Sequence, residues 1–192
     1  MSELQELFDA GNADELLRIG TEKFRDGEEA VAFSYYRAAC KLGNAVAMGN
    51  LGYCYQTGRG VKADERLALY CFERAAEQDD AGCLMKVGDF HYNGKGGLPR
   101  NRSHAFGCYL RGYEIAANAS EPDIMLTAEL CYRLGFCKKD GLGTEQNLQD
   151  AYEYFQAVAE LVCDEADQGN ARALTLLEKC QNHMDYCESR FE

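Results

Sequence analysis

Two prolines in 192 residues leave little to interrupt long helices, and a chain that is 46% hydrophobic is large enough to bury a substantial core. No stretch approaches the roughly 18 consecutive apolar residues that cross a membrane. The acidic, amphipathic opening MSELQELFDAGN also lacks the basic start and apolar run of a secretory leader. Catalytic signatures are missing too: there is no GxxxxGKS, HExxH, GxSxG or CxxC. Basic residues are scarce, 20 Lys and Arg against 32 Asp and Glu, for a net charge of −12. That balance disfavours nucleic acid, which clustered cations bind, and disfavours anionic membranes as well. The expectation is a single soluble, cytoplasmic, monomeric domain with no catalytic residue, no cofactor and no metal. Its partner is expected to be a protein or peptide, basic or amphipathic.

What the chain does contain is a recurring unit. Two apolar helical patterns, Ala45 to Gln56 and Asp64 to Gln78, flank the loop Thr57-Gly58-Arg59-Gly60-Val61. The pair Leu51-Gly52 recurs as Val87-Gly88 and Leu134-Gly135, at intervals of 36 and 47 residues. Each pair is followed by a glycine-x-glycine: Gly58-x-Gly60, Gly94-x-Gly96 and Gly141-x-Gly143. The second halves align as well, with Phe72, Tyr109 and Phe155 in register behind the leading alanines Ala68, Ala105 and Ala151. Four residues before each alanine stands Asp64, Asn101 or Asn147, all suited to cap a helix N-terminus. A period of about 36 residues holding two helices predicts an all-α fold, an α-solenoid whose repeats contact only their neighbours.

The segment LGYCYQTGRGVKADERLALYCFERAAEQD resembles the Sel1-like repeat, a relative of the tetratricopeptide repeat, with the pattern LGxxYxxGxGVxxDxxxAxxWYxxAAxxG. Departures from it are Cys71 at a position that is usually aromatic, and His91 and Lys138 in place of the tyrosine after the Leu-Gly pair. GGLPRN lengthens the third loop, and about ten extra residues precede Leu134-Gly135. The expected organisation is an N-terminal cap over 1–11 and a tetratricopeptide-like first repeat over 12–44, marked by Gly20, Phe24, Gly27, Ala32, Tyr36 and Ala39. Further repeats are expected over 45–80, 81–118 and 119–169, with a capping helix over 170–192. SEPD at Ser120 to Asp123 reads as a helix start with Ser120 as N-cap and Pro122 in the first turn.

The resemblance implies that first helices line a concave surface, on which a non-catalytic adaptor binds a peptide or protein segment. By register, Thr21 and Arg25, then Tyr53, Gln56 and Thr57, then Asp89, Tyr92 and Asn93, then Arg133, Phe136 and Lys139 face that groove. Aromatics and arginine are the residue types that dominate binding energy in interfaces. Packing between repeats suits Tyr53 and Phe136 equally well.

Ten cysteines open a second reading, a cysteine-rich metal- or haem-binding assembly factor. Cys180, His183 and Cys187 lie at i, i+3 and i+7 on one face of the last helix, and zinc or haem iron takes such ligands. Against it, Cys54 and Cys137 share one repeat position and Cys71 and Cys108 another, as small buried side chains do. Reduced thiols are expected. His91 stands at the family's tyrosine position and reads as an interior or groove histidine, and His104 adjoins Ser103 at a helix start, where adjacent residues do not face each other.

Overall fold

The computed structural model describes residues 3–191. Among them are ten α-helices and no strand: α1 (Glu3–Asp9), α2 (Ala13–Arg25), α3 (Glu29–Lys41), α4 (Ala45–Thr57), α5 (Glu65–Ala76), α6 (Ala81–Asn93), α7 (Arg102–Ala117), α8 (Ile124–Asp140), α9 (Leu148–Asp167) and α10 (Ala171–Glu188). No described helix is long and apolar enough to cross a membrane. The chain forms two compact units, Met1–Pro99 and Arg100–Glu192. Within each, every helix from α2 onward packs on the next in sequence, the all-α solenoid order of helix-turn-helix repeats.

From α2 onward, every helix start but that of α3, where Glu28 makes no side-chain cap, obeys one rule that the sequence displays openly. The expected caps Asp64, Asn101 and Asn147 accept backbone N–H bonds at the heads of α5, α7 and α9. The first helices use the same device, with Asn12, Asn44, Asp80, Asp123 and Asn170 capping α2, α4, α6, α8 and α10. Ser120 is therefore not a cap. Asp123 takes that role by accepting from Leu126 N at 2.9 Å, and Pro122 precedes the helix instead of entering its first turn. A carboxylate adjoining the first turn also complements the helix dipole, which a serine three residues upstream does not reach.

Most of the extra residues before Leu134-Gly135 become helix. From cap to glycine is eight residues in α2, α4 and α6 but twelve in α8, an added turn, so that α8 has 17 residues where its counterparts have 13. Helix α7 is longer than α5 to match, 16 residues against 12. In α10 the register reaches Glu178 at the glycine position, and that carboxylate is exposed.

The glycine of the Leu-Gly pair sets the distance between the helices of a repeat. A Cβ at Gly52 would lie 2.8 Å from Phe72 Cε1 and 3.2 Å from the Ala68 carbonyl oxygen, so only a bare Cα allows α5 to come this close. Gly20 meets Tyr36, and Gly135 meets Phe155, in the same way. The contact lets Phe72 and Phe155 sit at 2% and 0% exposure. Around such contacts the core builds from helix to helix: Leu16, Ile19, Tyr35, Ala39 and Ala47 form one cluster, and Ala32, Tyr36, Leu51, Cys54 and Cys71 the next. The second unit gathers Cys131, Phe155, Val158, Val162, Leu176 and Cys180.

The second glycine of each turn joins neighbouring repeats. Gly60 has φ +72° and its missing Cβ would fall 2.1 Å from the Glu29 carbonyl oxygen, at the head of α3. Gly143, with φ +83°, stands 2.1 Å by the same measure from the Arg102 carbonyl oxygen at the head of α7. Both the left-handed backbone and the contact exclude a side chain there.

Replacing Gly52 by leucine overpacks the α4–α5 contact and is expected to lower stability by roughly 1 to 3 kcal/mol or more. Gly107, exposed in the middle of α7 with open space around it, gives the opposite sign. Gly107→Ala should stabilise by roughly 0.5 to 1 kcal/mol. Urea unfolding of both variants beside wild type checks the pair, and equal midpoints for all three would refute it.

Candidate binding face on the first helices

Among the first helices of the first unit, α4 offers the most open aromatic position, although Tyr70 on the second helix α5 is more open still at 60%. Its sequence AVAMGNLGYCYQT contains no charged residue, so the acidic surplus of the chain lies elsewhere. Tyr53 is 39% exposed, and its ring meets Phe24 edge-on with centroids 6.1 Å apart. Phe24 in turn touches buried Tyr36 at 6.3 Å and lies under the Arg59 guanidinium, 5.3 Å from the ring centroid. Arg59 is held on its other side by Glu29, at 3.5 Å. The result is an aromatic row running from core to solvent, edged by a fixed cation.

The other expected residues of this unit hold varied positions. Gln56 is half-buried, while Thr57 is exposed and donates its hydroxyl to the Tyr53 carbonyl at 2.8 Å. Thr21 and Arg25 are exposed on α2. On α6, Asp89 and Tyr92 are half-buried, and exposed Asn93 donates to the Asp89 carbonyl oxygen at 2.7 Å. Repeat spacing alone did not mark Arg59 or Phe24 as part of this face. The available signal was a basic residue between the two turn glycines, one position of a loop.

In the second unit the corresponding positions are more enclosed. Arg133 is half-buried, 5.9 Å from the Tyr109 ring centroid, and donates to the Glu129 carbonyl at 3.2 Å. Phe136 packs edge-on against His183 of α10, 5.9 Å between centroids. Lys139 was expected to face solvent, yet it is only 8% exposed. Its ammonium lies 5.2 Å from the Phe136 ring and 4.8 Å from Tyr186, and bonds to Asp140 at 2.5 Å. Helix α10 covers it. A buried ammonium is tolerated because a carboxylate and two ring faces replace its water.

The cysteines and histidine of α10 belong to the same packing. Cys180 and Cys187 are fully buried in the core cluster of α8, α9 and α10. His183 stacks on Phe155 with centroids 4.9 Å apart, and its Nε2 lies 3.2 Å from the Tyr132 hydroxyl. No group of three or more His, Cys, Asp or Glu among the described residues is arranged to hold a metal ion. Burial drives the thiols away from reactivity: it pushes Cys54, Cys131 and Cys137 up to about 11 and Cys71 and Cys180 up to about 12. All ten are free, and Cys163 on the outer side of α9 is exposed. Alkylation at pH 8 should therefore label exposed Cys163 first and half-buried Cys40 next, with the eight buried thiols reacting only on unfolding; mass-mapped early labelling of Cys180 would contradict this packing.

His183 also gives a pH dependence. Burial lowers its pKa, the nearby Lys139 ammonium lowers it further, and Asp140 opposes them. A folded-state value below the unfolded value of about 6.5 means that the unfolded chain binds the proton more readily, so this stabilisation is full above that pH. It is lost as pH falls through about 6.5 toward the folded-state value. The stability difference between wild type and His183→Gln should shrink from pH 7 to pH 5.5 in chemical unfolding, and a constant difference would count against it.

The arrangement matches a known repeat. The Sel1 repeat model matches residues 11–44, 45–80, 81–115 and 128–161. Among curated proteins, chitin synthase regulatory factor 3 of Schizosaccharomyces pombe is 27% identical over 151 residues, covering 76% of this chain and 15% of that protein. The ERAD-associated E3 ubiquitin-protein ligase component HRD3B of Arabidopsis thaliana is 30% identical over 142 residues, covering 70% of this chain and 21% of its own. The DAP3-binding cell death enhancer 1 of Mus musculus is 33% identical over 69 residues, 36% of this chain and 14% of that protein. The chain thus spans about a fifth or less of the length of these relatives. In fold, it superposes on the crystal structure of a Sel1 repeat protein from Oxalobacter formigenes with a TM-score of 0.67 at 24% identity, over 89% of this chain and 65% of that one. A protective antigen of uropathogenic Escherichia coli gives 0.52 at 14% identity, over 98% of this chain and 52% of that one. Four matched repeats in the register read from the Leu-Gly pairs, each built as a helix-turn-helix, make this chain a member of the Sel1-repeat family.

Proposed function

We propose that this chain is a non-catalytic protein-interaction module, which takes a segment of a partner protein on the first-helix face of residues 1–99. The observation that carries the reading is Tyr53, a large aromatic left 39% exposed on a helix without a charged residue. Tyrosine and side-chain amides are economical binding groups, because they give contact area and hydrogen bonds for few rotatable bonds. Tyr53, Gln56, Tyr92 and Asn93 make the contacts, with Asp89 fixing a cationic group of the partner. In the second unit Arg133 packs by the Tyr109 ring, and Phe136 and Lys139 serve mainly to seat α10.

The relatives support an interaction role by their names alone: one is a component of a ligase, another is named for binding DAP3. The net charge of −12 favours approach of a basic or amphipathic segment, while the uncharged α4 part of the face selects for shape and hydrogen bonding. Free, buried thiols suit a reducing, cytoplasmic setting, in which we place the chain as a monomer.

The test is affinity capture from native lysate in reducing buffer, wild type beside the Tyr53→Ala/Tyr92→Ala variant, followed by titration of the identified partner. Removing Tyr53 breaks its edge contact with Phe24, worth about 0.5 to 1.5 kcal/mol, so the fold should survive. Partner affinity is expected to fall tenfold or more. Equal affinity in the two proteins would move the binding face elsewhere.

A further inference from the structure

Between α1 and α3 lies a cleft of about 190 Å³ that the interaction face does not use. Leu4 and Phe8 from α1 and Ala38 from α3 form its apolar surface, with the Ser34 hydroxyl along one wall and Arg37 and Lys41 on the rim. The volume exceeds the roughly 150 Å³ of an apolar cavity that accepts benzene. Arg37 and Lys41 are one turn apart on α3, so the two cations are neighbours and repel each other. Both are exposed, and neither has a carboxylate ion-pair partner among the described residues; the Arg37 guanidinium lies 5.9 Å from the Phe33 ring centroid and also acts on the Tyr55 hydroxyl. In a chain with 32 acidic residues, two adjacent cations left without one stand out beside an apolar cleft. On the α1 side the negative groups are Glu3, Glu6 and Asp9; Glu3 accepts from the Tyr35 hydroxyl at 3.4 Å and Asp9 from the Gln5 amide at 2.7 Å, so these two are engaged away from Arg37 and Lys41. The C-terminus of α3 contributes a negative partial charge of about half a unit, which two full positive charges outweigh.

We propose that this cleft binds a small apolar carboxylate, its hydrocarbon body on Leu4, Phe8 and Ala38 and its carboxylate between Arg37 and Lys41; the Ser34 hydroxyl, which donates to the Ala30 carbonyl at 3.1 Å, only lines the wall. The ligand class follows from the juxtaposition of an apolar surface with an uncompensated cation pair. An anion relieves the mutual repulsion of the two cations while the hydrocarbon removes Leu4 and Phe8 from water.

The full chain is titrated with octanoate, with octanol as the uncharged analogue of equal length, and with a leucine-terminated hexapeptide bearing a free carboxylate, each followed by amide NMR shifts. Octanoate is expected to shift residues of α1 and α3, and octanol to bind at least tenfold more weakly. The Arg37→Gln/Lys41→Gln variant, altered only at exposed positions, is expected to keep the wild-type circular dichroism spectrum and lose octanoate binding tenfold or more. Binding of octanol as tight as that of octanoate, or undiminished octanoate binding in the variant, overturns the proposal. So do octanoate shifts confined to other helices, no shifts at millimolar ligand, and a hexapeptide that binds tenfold more tightly than octanoate, which would assign the cleft to a protein terminus.

Discussion

Each repeat depends on how closely its two helices approach, and that distance is set where a glycine backbone meets an aromatic ring. At Gly52 the Phe72 ring occupies the volume where a Cβ would stand, and at Gly20 and Gly135 the rings of Tyr36 and Phe155 do the same. The contact is steric before it is energetic. Once the helices are this close, the ring leaves water completely, a gain of about 1.5 to 3 kcal/mol for a side chain of this size. The alanines flanking it, Ala68 and Ala151 among them, are fully buried because no larger residue fits.

A second steric constraint carries the pattern from repeat to repeat. Gly60 and Gly143 lie against the first carbonyls of the second helix one repeat earlier, so the turn of one unit fixes the start of its neighbour. The caps complete the register: Asn44, Asp80 and Asn170 begin first helices at one position, while Asp64, Asn101 and Asn147 begin second helices at another. Insertions that respect these points are absorbed as whole turns of helix. The added turns of α7 and α8 leave the Gly135–Phe155 contact unchanged in kind.

Function follows from what this scaffold leaves exposed. Its first helices bury one stripe and present another, and in α4 that stripe carries tyrosine and amide and no charge. Most cysteines go to the buried stripe, where they act as small apolar side chains with thiols held protonated by burial. Cys180, His183 and Cys187 share a helix face, as metal ligands do, yet that face is packing surface for Phe155, Tyr132 and Phe136.

The sequence by itself determined the repeat period, the turn glycines, the second-helix caps and the Leu-Gly pairs: the caps rest on hydrogen bonds within a few residues, and the glycine contacts, though they join residues 16 to 41 apart, recur at fixed positions of the repeat. The first-helix caps were equally visible in Asn12, Asn44 and Asp80, and the same rule identifies Asp123 rather than Ser120. Burial of the face residues was decided only by tertiary structure. Register alone treats Gln56 and Lys139 as equivalents, yet Gln56 stays half-buried while Lys139 is covered by Tyr186, 47 residues further along the chain. Likewise His183 finds Tyr132 across 51 residues of sequence. Whether a side chain meets water or a neighbour depends on which helix lies across it, and no local pattern encodes that helix.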